Sequence, residues 1–517
     1  VSARPVQEAT APGPGQIGRW ILLAFIPSSL MLAITTKIST DIGAIPLVWV
    51  VPLSLYLLSF VLTFSRRPVF GTAFLRIAYM AALAWLAVVF TGIGGTHLDL
   101  IGIAGLIASF FAVAMFAHTR LYDSRPEGRH LTLFYVVMSV GGALGGVFNS
   151  ILAPAVFVTL AEGGITTLLA TTLILSSEMR LTLPLVRKGI AFGVGTAAVL
   201  VLAAQPFAVE SWLALKLIMF ALAATVAILL RRTVPAAALA AGLVVVTGTY
   251  VIPTGDIFRD RSFFGTHWVA DVDGLRQYAN GTTLHGAERV ADYAKPRPEP
   301  LFYYHRNAPM AQVMTSGIGR SAKNVGIVGL GVGSLACYKQ PGQDWQFYEI
   351  DAVVDKIARN PAYFTFMSAC AGSAPTHLGD ARMVLARQEG LKYDILVIDA
   401  YGSDSVPVHL TTQEAMQLYL DRLAPDGVLL YHITNRYYAI ERPLSRSAAA
   451  LGLEARIQNY PGNAEIDPGD SGSRVVMLAR NAGALGALAD DRRWEALIPD
   501  GGRIWTDDYA NLLSVLQ

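Results

Sequence analysis

Between Trp20 and Ile252 the chain passes through nine apolar stretches: Trp20–Thr36, Ile45–Phe64, Phe74–Phe90, Leu100–Ala117, Leu131–Phe157, Ile165–Leu175, Gly189–Ala204, Trp212–Leu230 and Pro235–Ile252. A helix crossing the hydrocarbon core needs about 20 apolar residues, and its backbone must satisfy its own hydrogen bonds there. The pattern predicts a multi-pass α-helical membrane domain over residues 19–254, after a flexible Pro/Gly-rich lead at 1–18. The sixth stretch is short, so eight or nine spans fit. Gly141 to Gly146 place small residues one turn apart in the fifth, which suits close helix packing. Over the whole chain 15% of residues are charged and 53% hydrophobic, where a globular protein has roughly 25% charged.

The basic residues sort by loop. Arg66 and Arg67, then Arg120, Arg125 and Arg129, then Arg180, Arg187 and Lys188, then Arg231 and Arg232 fall in alternate loops. The positive-inside rule puts those loops and the N-terminus in the cytoplasm. Nine spans then carry the second half out of the cytoplasm, and eight keep it inside. Lys37, Asp41, Arg76 and His118 lie near span ends, where snorkelling accounts for them.

The second half reads as an ordinary α/β domain: a linker and small antiparallel β unit at 255–322, then a Rossmann-like nucleoside-binding domain at 323–517. Gly255 to Asp260 is the expected linker. Asp273-Gly274 and Asn280-Gly281, between short alternating runs, signal hairpins. Met310–Ile318 reads as a helix.

Lys323 to Asp351 then reads strand, glycine turn, helix, strand. Val325 to Val328 runs into Gly329, Gly331 and Gly333, and Glu349 follows Gly329 by 20 residues. Glycines there let backbone approach a ligand, and a carboxylate at the second strand's tip can hold two ribose hydroxyls. The glycines read G-x-G-x-G, not the dinucleotide G-x-G-x-x-G. A nucleoside without a phosphate is the better fit, and S-adenosylmethionine is the commonest such ligand. That ligand is made in the cytosol, which opposes the nine-span arrangement.

Further strands follow at α/β intervals. Asp380 stands at the tip of Thr376–Leu378, followed by Ala381, and Asp399 at the tip of Asp394–Ile398. A helix over Thr412–Leu423 is expected with Thr411 as cap, and Val428–Ile433 as a fifth strand. Thr506 is expected to cap a last helix. In a parallel sheet the ligand lies at the carboxyl ends of the strands, where Glu349, Asp380 and Asp399 converge. Net charge is +2 with no basic stripe, so no nucleic-acid partner is expected. Cys337 and Cys370 have no metal-ligand spacing and are too few for a disulfide framework. They read as small buried residues, and no metal is expected.

These motifs carry a resemblance. His285-Gly286, Tyr304-His305, GLGVG, YEID, GDA and YDILVIDAYGSD make residues 261–517 similar to the spermidine synthase family, aminopropyltransferases on a methyltransferase-like fold. With the apolar half, the chain resembles bacterial membrane-embedded spermidine synthase homologues, which implies an inner-membrane location. The resemblance implies that Glu349 binds the ribose and that Asp380 with Ala381 meets the adenine. It implies that Asp399 deprotonates an attacking amine and that Tyr304, His305 and Gln312 wall the sulfonium side chain. Tyr401 and Asp404 fall on the loop expected to cover the substrate, and a homodimer is among the assemblies it allows.

Departures bear on the reaction. The family's loop acid is here Val332, its D-S-x-D-P segment becomes Asp399 to Asp404, and its acid after Tyr-His is Arg306. Decarboxylated S-adenosylmethionine with a polyamine acceptor is one expectation. The other is a lyase acting on intact S-adenosylmethionine, whose carboxylate Arg306 would meet, giving homoserine lactone. Both release 5′-methylthioadenosine. Remaining alternatives are a transporter or sensor that only binds an adenosyl nucleoside, and a methyltransferase.

Overall fold

The structure, a computed structural model, describes residues 11–42, 48–65, 69–91, 100–126, 128–178, 255–400, 407–435 and 438–516. The last three expected spans lie outside these residues, as do Arg66, Arg67, Arg180, Arg187, Lys188, Arg231, Arg232, Tyr401 and Asp404. The chain divides into two compact units, the second holding Gly255–Gln517.

In the first unit the described helices are α1 (Pro14–Ile42), α2 (Val50–Thr63), α3 (Thr72–Thr91), α4 (Leu100–Asp123), α5 (Leu131–Val147), α6 (Ala153–Val156) and α7 (Ala161–Glu178). A π-helical turn, Phe148–Leu152, joins α5 to α6. Among the described residues three segments are long and apolar enough to cross a membrane: Pro14–Asp41, Ile101–Asp123 and Gly128–Val156. Val50–Thr63 and Thr72–Ala87 are apolar but shorter. The glycines of α5 bring it against α1. A Cβ on Gly141 would fall 2.5 Å from the Ile21 carbonyl oxygen, and one on Gly145 2.9 Å from that of Phe25. His118 does not snorkel. It is fully buried, bonded through Nδ1 to Ser59 Oγ at 2.8 Å and stacked on Phe60. Lys37 donates to Asp41, one turn on in α1, at 3.0 Å.

The second unit begins with β1 (Asp256–Ser262), β2 (Gly265–Val272), β3 (Leu275–Asn280) and β4 (Thr283–Arg289), an antiparallel sheet in sequence order. The stretch read as linker is therefore mostly strand, because Asp256 to Ser262 pair with β2. The first turn is Phe263-Phe264, and Phe263 is 95% exposed.

The main sheet holds β5 (Asn324–Val328), β6 (Asp344–Glu349), β7 (Thr376–Leu378), β8 (Tyr393–Ile398), β9 (Leu423–His432), β10 (Glu454–Gly462), β11 (Ser471–Ala479) and β12 (Glu495–Ala496). Their order is β12-β10-β11-β9-β8-β5-β6-β7. Strands β5 to β9 are mutually parallel, and β10, β11 and β12 pair antiparallel. Alternate strand residues serve two cores. Val325, Ile327, Phe347 and Val397 enter one, while Val328, Tyr348, Leu396 and Ile398 enter the other. Both faces are thus covered, as a parallel sheet requires.

Among the described residues seven α-helices accompany the sheet: α8 (Pro309–Thr315), α9 (Gly317–Ser321), α10 (Ala352–Arg359), α11 (Phe366–Cys370), α12 (Ala381–Arg387), α13 (Gln413–Arg422) and α14 (Glu441–Ala450). Several expectations change. The Met310–Ile318 helix breaks at Ser316, which is extended and caps α9 by accepting the Ile318 N–H. Helix α13 is capped by Thr412, not Thr411. Thr506 starts no helix: it pairs with Tyr509 across a tight turn, and Asp507 is drawn to Arg382. The segment after the glycine turn, Ser334–Tyr338, is a 3-10 helix. Cys337, in that helix, and Cys370, ending α11, form a disulfide with Cα atoms 4.9 Å apart. Two buried thiols were expected; the chain's fold instead brings residues 33 apart into bonding distance.

Candidate active site

The strand order reverses between β5 and β8, the switch point at which open α/β sheets bind ligands. Gly329 leaves β5 there with φ 95°, and Asp399 leaves β8. The Gly329 N–H donates to the Tyr348 carbonyl and the Asp399 N–H to that of Val328, both at 2.8 Å. Gly331 (φ 55°) lies under the His285 carbonyl of β4, and Gly333 (φ 82°) against Met367 of α11. The glycine turn is thus closed between two elements that a Cβ would push away. Val332 is buried and fills the space beside Gly286.

Glu349 ends β6 and is nearly buried. Its Oε2 accepts the Leu330 N–H of the glycine turn and its Oε1 the Asp351 N–H, each at 3.0 Å. Burial raises its pKa above the ordinary carboxylate value, and these two bonds only partly offset the effect. Asp351 behaves oppositely. Burial would raise it, but hydrogen bonds from His267 (3.0 Å), Ser262 and the Val353 N–H outweigh burial and hold it low. Asp351 thereby caps α10 and ties the small β unit to the main sheet.

Asp380 caps α12, accepting the Met383 N–H at 3.0 Å, and its other oxygen lies 3.0 Å from His409 Nε2. Ala381 is the buried first residue of that helix. Asp399 sits in a donor network. Tyr304 donates its hydroxyl to Oδ2, and His432 Nδ1 lies 2.7 Å from Oδ1. The side chains of Asp399 and His432 are 7% and 6% exposed. His432 Nε2 in turn meets Thr434 Oγ1 at 2.7 Å.

The other expected residues lie elsewhere. His305 turns from this network to a carboxylate cluster, 3.3 Å from Asp470, 3.5 Å from Asp467 and 3.9 Å from Glu299. Arg306 is 70% exposed and pairs with Glu299 at 3.4 Å, so it stands as a surface charge. Gln312 donates to the Asn307 carbonyl at 3.2 Å, and its shielded Oε1 has no hydrogen-bond partner among the described residues.

Two histidines were not singled out from the sequence for this site's chemistry. His432 is the last residue of β9, neighbour of the strand carrying Asp399. A polar residue ending an apolar strand next to the switch point was the available signal. His285 had marked the resemblance only. Its Nε2 is shielded and has no hydrogen-bond partner among the described residues. Burial pushes its pKa down to about 4 against the opposing charge of Asp399, so the ring is neutral near pH 7.

A buried carboxylate beside a glycine turn, fixed by a phenol and an imidazole, can take a proton from a nucleophile aimed at a nucleoside substituent. No family model matches the chain. Over 204 residues it is 28% identical to the polyamine aminopropyltransferase of Vibrio vulnificus (strain CMCP6), covering 38% of this chain and 62% of that protein. Among solved structures it is similar to a probable spermidine synthase from Corynebacterium glutamicum (14% identity, TM-score 0.36, 50% of this chain and 99% of the other). A second is the spermidine synthase from Thermotoga maritima (16% identity, TM-score 0.31, 44% and 73%). The chain thus spans about three fifths of the curated relative it matches, and its second half is similar to spermidine synthase-type enzymes.

Proposed function

We propose that the second half transfers an aminopropyl group from decarboxylated S-adenosylmethionine to an amine, releasing 5′-methylthioadenosine. The amine nitrogen bonds to the carbon attached to sulfur. The carbon–sulfur bond breaks with its electron pair going to sulfur, and the ammonium proton passes to Asp399. Glu349 and the glycine turn take the nucleoside, and Asp380 with Ala381 faces its adenine. A sulfonium is a good leaving group, so alignment and one proton acceptor suffice.

One observation carries this choice: Asp399 is held by Tyr304 and His432 as a proton acceptor is held. Lactone closure by the carboxylate of intact S-adenosylmethionine needs no base. One of its three supports, Arg306, pairs instead with Glu299 at the surface. The likeness to a polyamine aminopropyltransferase favours the same side. The site suits a small-molecule substrate.

The first half supplies a lipid-bilayer anchor as a multi-pass domain of the bacterial inner membrane. Its three long apolar helices support this. The Cys337–Cys370 disulfide supports a second half on the oxidising, non-cytoplasmic side, as does the charge of the alternate loops when the spans number nine.

The test incubates the purified protein with S-adenosylmethionine alone and with its decarboxylated form plus putrescine. Methylthioadenosine released only in the second mixture is the expected result. Release from S-adenosylmethionine alone gives the lyase, and release in neither leaves a nucleoside-binding transporter or sensor.

A further inference from the structure

We propose that His432 is a positioning residue for proton transfer at Asp399, with its ring held in one tautomer between Asp399 and Thr434. The inference rests on the aminopropyl-transfer reading above.

The Arg474 N–H of β11 can only donate, and it donates to Thr434 Oγ1 at 2.8 Å. The Thr434 hydroxyl keeps its own proton to give, and His432 Nε2 lies 2.7 Å away. On the other side of the ring the Asp399 carboxylate can only accept, so Nδ1 is the donor to it and Nε2 of a singly protonated ring accepts from Thr434. Nδ1 is 2.7 Å from Asp399 Oδ1. Donors therefore run in one direction, from the β11 backbone through Thr434 and His432 to the carboxylate.

Tyr304 meets the other oxygen from a separate part of the chain, just before α8. The carboxylate plane is fixed at both oxygens by side chains from two elements. Remaining lone pairs are available to the incoming amine, since a carboxylate accepts at about four sites. Without His432 the carboxylate could turn about its own bond, and the oxygen facing the amine would no longer be set. Nucleoside binding belongs to Glu349 and the glycine turn, so His432 should act on turnover and not on nucleoside affinity.

The experiment uses the full chain in detergent with four variants: His432→Ala, His432→Gln, Thr434→Val and Thr434→Ser. Methylthioadenosine release gives kcat and KM, calorimetry gives the Kd for methylthioadenosine, and 15N spectra of labelled histidine give the tautomer. His432→Ala is expected to lower kcat about a hundredfold, the cost of a misplaced reacting group, with Kd unchanged. His432→Gln restores an N–H donor and recovers part of the loss. Thr434→Val lowers kcat, while Thr434→Ser keeps it. The proposal is overturned if His432→Ala or Thr434→Val leaves kcat unchanged, or if either loses nucleoside affinity in step with kcat. An Nε2–H signal for His432 in an active wild-type enzyme also overturns it. A wild-type protein that releases no methylthioadenosine from any donor instead removes the transfer reading, and this role falls with it.

Discussion

Gly329 and Asp399 meet at one point of the sheet: a Cβ on Gly329 would lie 2.0 Å from the Asp399 carbonyl oxygen. On the proposed reaction, the glycine turn that takes the nucleoside and the proton acceptor are therefore one rigid object. Gly329→Ala must displace Asp399 or the turn, and the φ of 95° already disfavours alanine. Displacing a reacting group by about 1 Å costs on the order of a hundredfold in rate. Gly331→Ala meets only the His285 carbonyl, at 3.1 Å, and should be milder. Comparing kcat and methylthioadenosine affinity of the two variants checks this; equal losses would show that the shared point is irrelevant.

Asp399→Asn keeps the size of the side chain and removes its capacity to accept a proton. Turnover should fall about 10²- to 10⁴-fold, the usual contribution of a general base. Methylthioadenosine should still bind, because Glu349 and the glycine turn are untouched. Rapid-quench assay of product together with calorimetric titration separates the two quantities. Wild-type turnover in this variant would take Asp399 out of the mechanism.

On the proposed reaction, Glu349 makes nucleoside binding depend on pH. The ribose hydroxyls donate to an ionised carboxylate, and burial holds its folded pKa above the ordinary 4.5. Ionisation is complete above that raised value and lost as the pH falls through it. Methylthioadenosine affinity should thus drop on acidification beginning above pH 4.5. In Glu349→Gln the affinity should be lower throughout and this slope absent. The raised pKa also means that burial opposes the ionised form, so the free protein loses stability as Glu349 ionises with rising pH. Titration at several pH values gives the slope directly.

Strand spacing made the three acids legible, because each apolar run ends where its sheet neighbours end. Asp380 shows the limit of that reading: its place was legible, but its bond to the Met383 N–H needed the helix that follows. His432 was hidden differently. Its partner is 33 residues away in sequence, and only the β8–β9 register aligns them. The disulfide escaped for the same reason, since α11 and the 3-10 helix meet only after the turn at Gly333 packs on Met367. The break at Ser316 was legible in principle, as Ser-Gly is a turn signal. Among the described residues, α1, α3, α4 and α7 run longer than the apolar stretches read for them, and α2 is shorter than its stretch Ile45–Phe64, whose start lies outside these residues. Val50–Thr63 is apolar but has 14 residues.

The disulfide should support the glycine turn. Closing a chain segment of 33 residues contributes about 3–4 kcal/mol through the unfolded state. Cys337→Ser, or reduction of the wild type, should therefore lower the melting temperature of the second half. Because Cys337 follows Gly333 by four residues, methylthioadenosine affinity should fall with it. Melting followed by tryptophan fluorescence, with and without reductant, tests both. Identical curves would leave the bond without a structural role.

For a chain anchored as proposed, the side of the membrane can be read at Phe263. This residue lies on the β1–β2 turn, 95% exposed, so a cysteine there should react without disturbing the core. A disulfide persists in oxidising compartments and is rare in a reducing cytosol. The basic loops point the same way if an odd number of spans precedes Gly255. Phe263→Cys should then be labelled by a membrane-impermeant maleimide in intact cells, and Cys337 and Cys370 should stay unlabelled until reduced. Labelling of Phe263→Cys only after the cells are opened would put the second half in the cytoplasm. An even number of spans would follow, and the nucleoside substrate would be drawn from the pool where it is made.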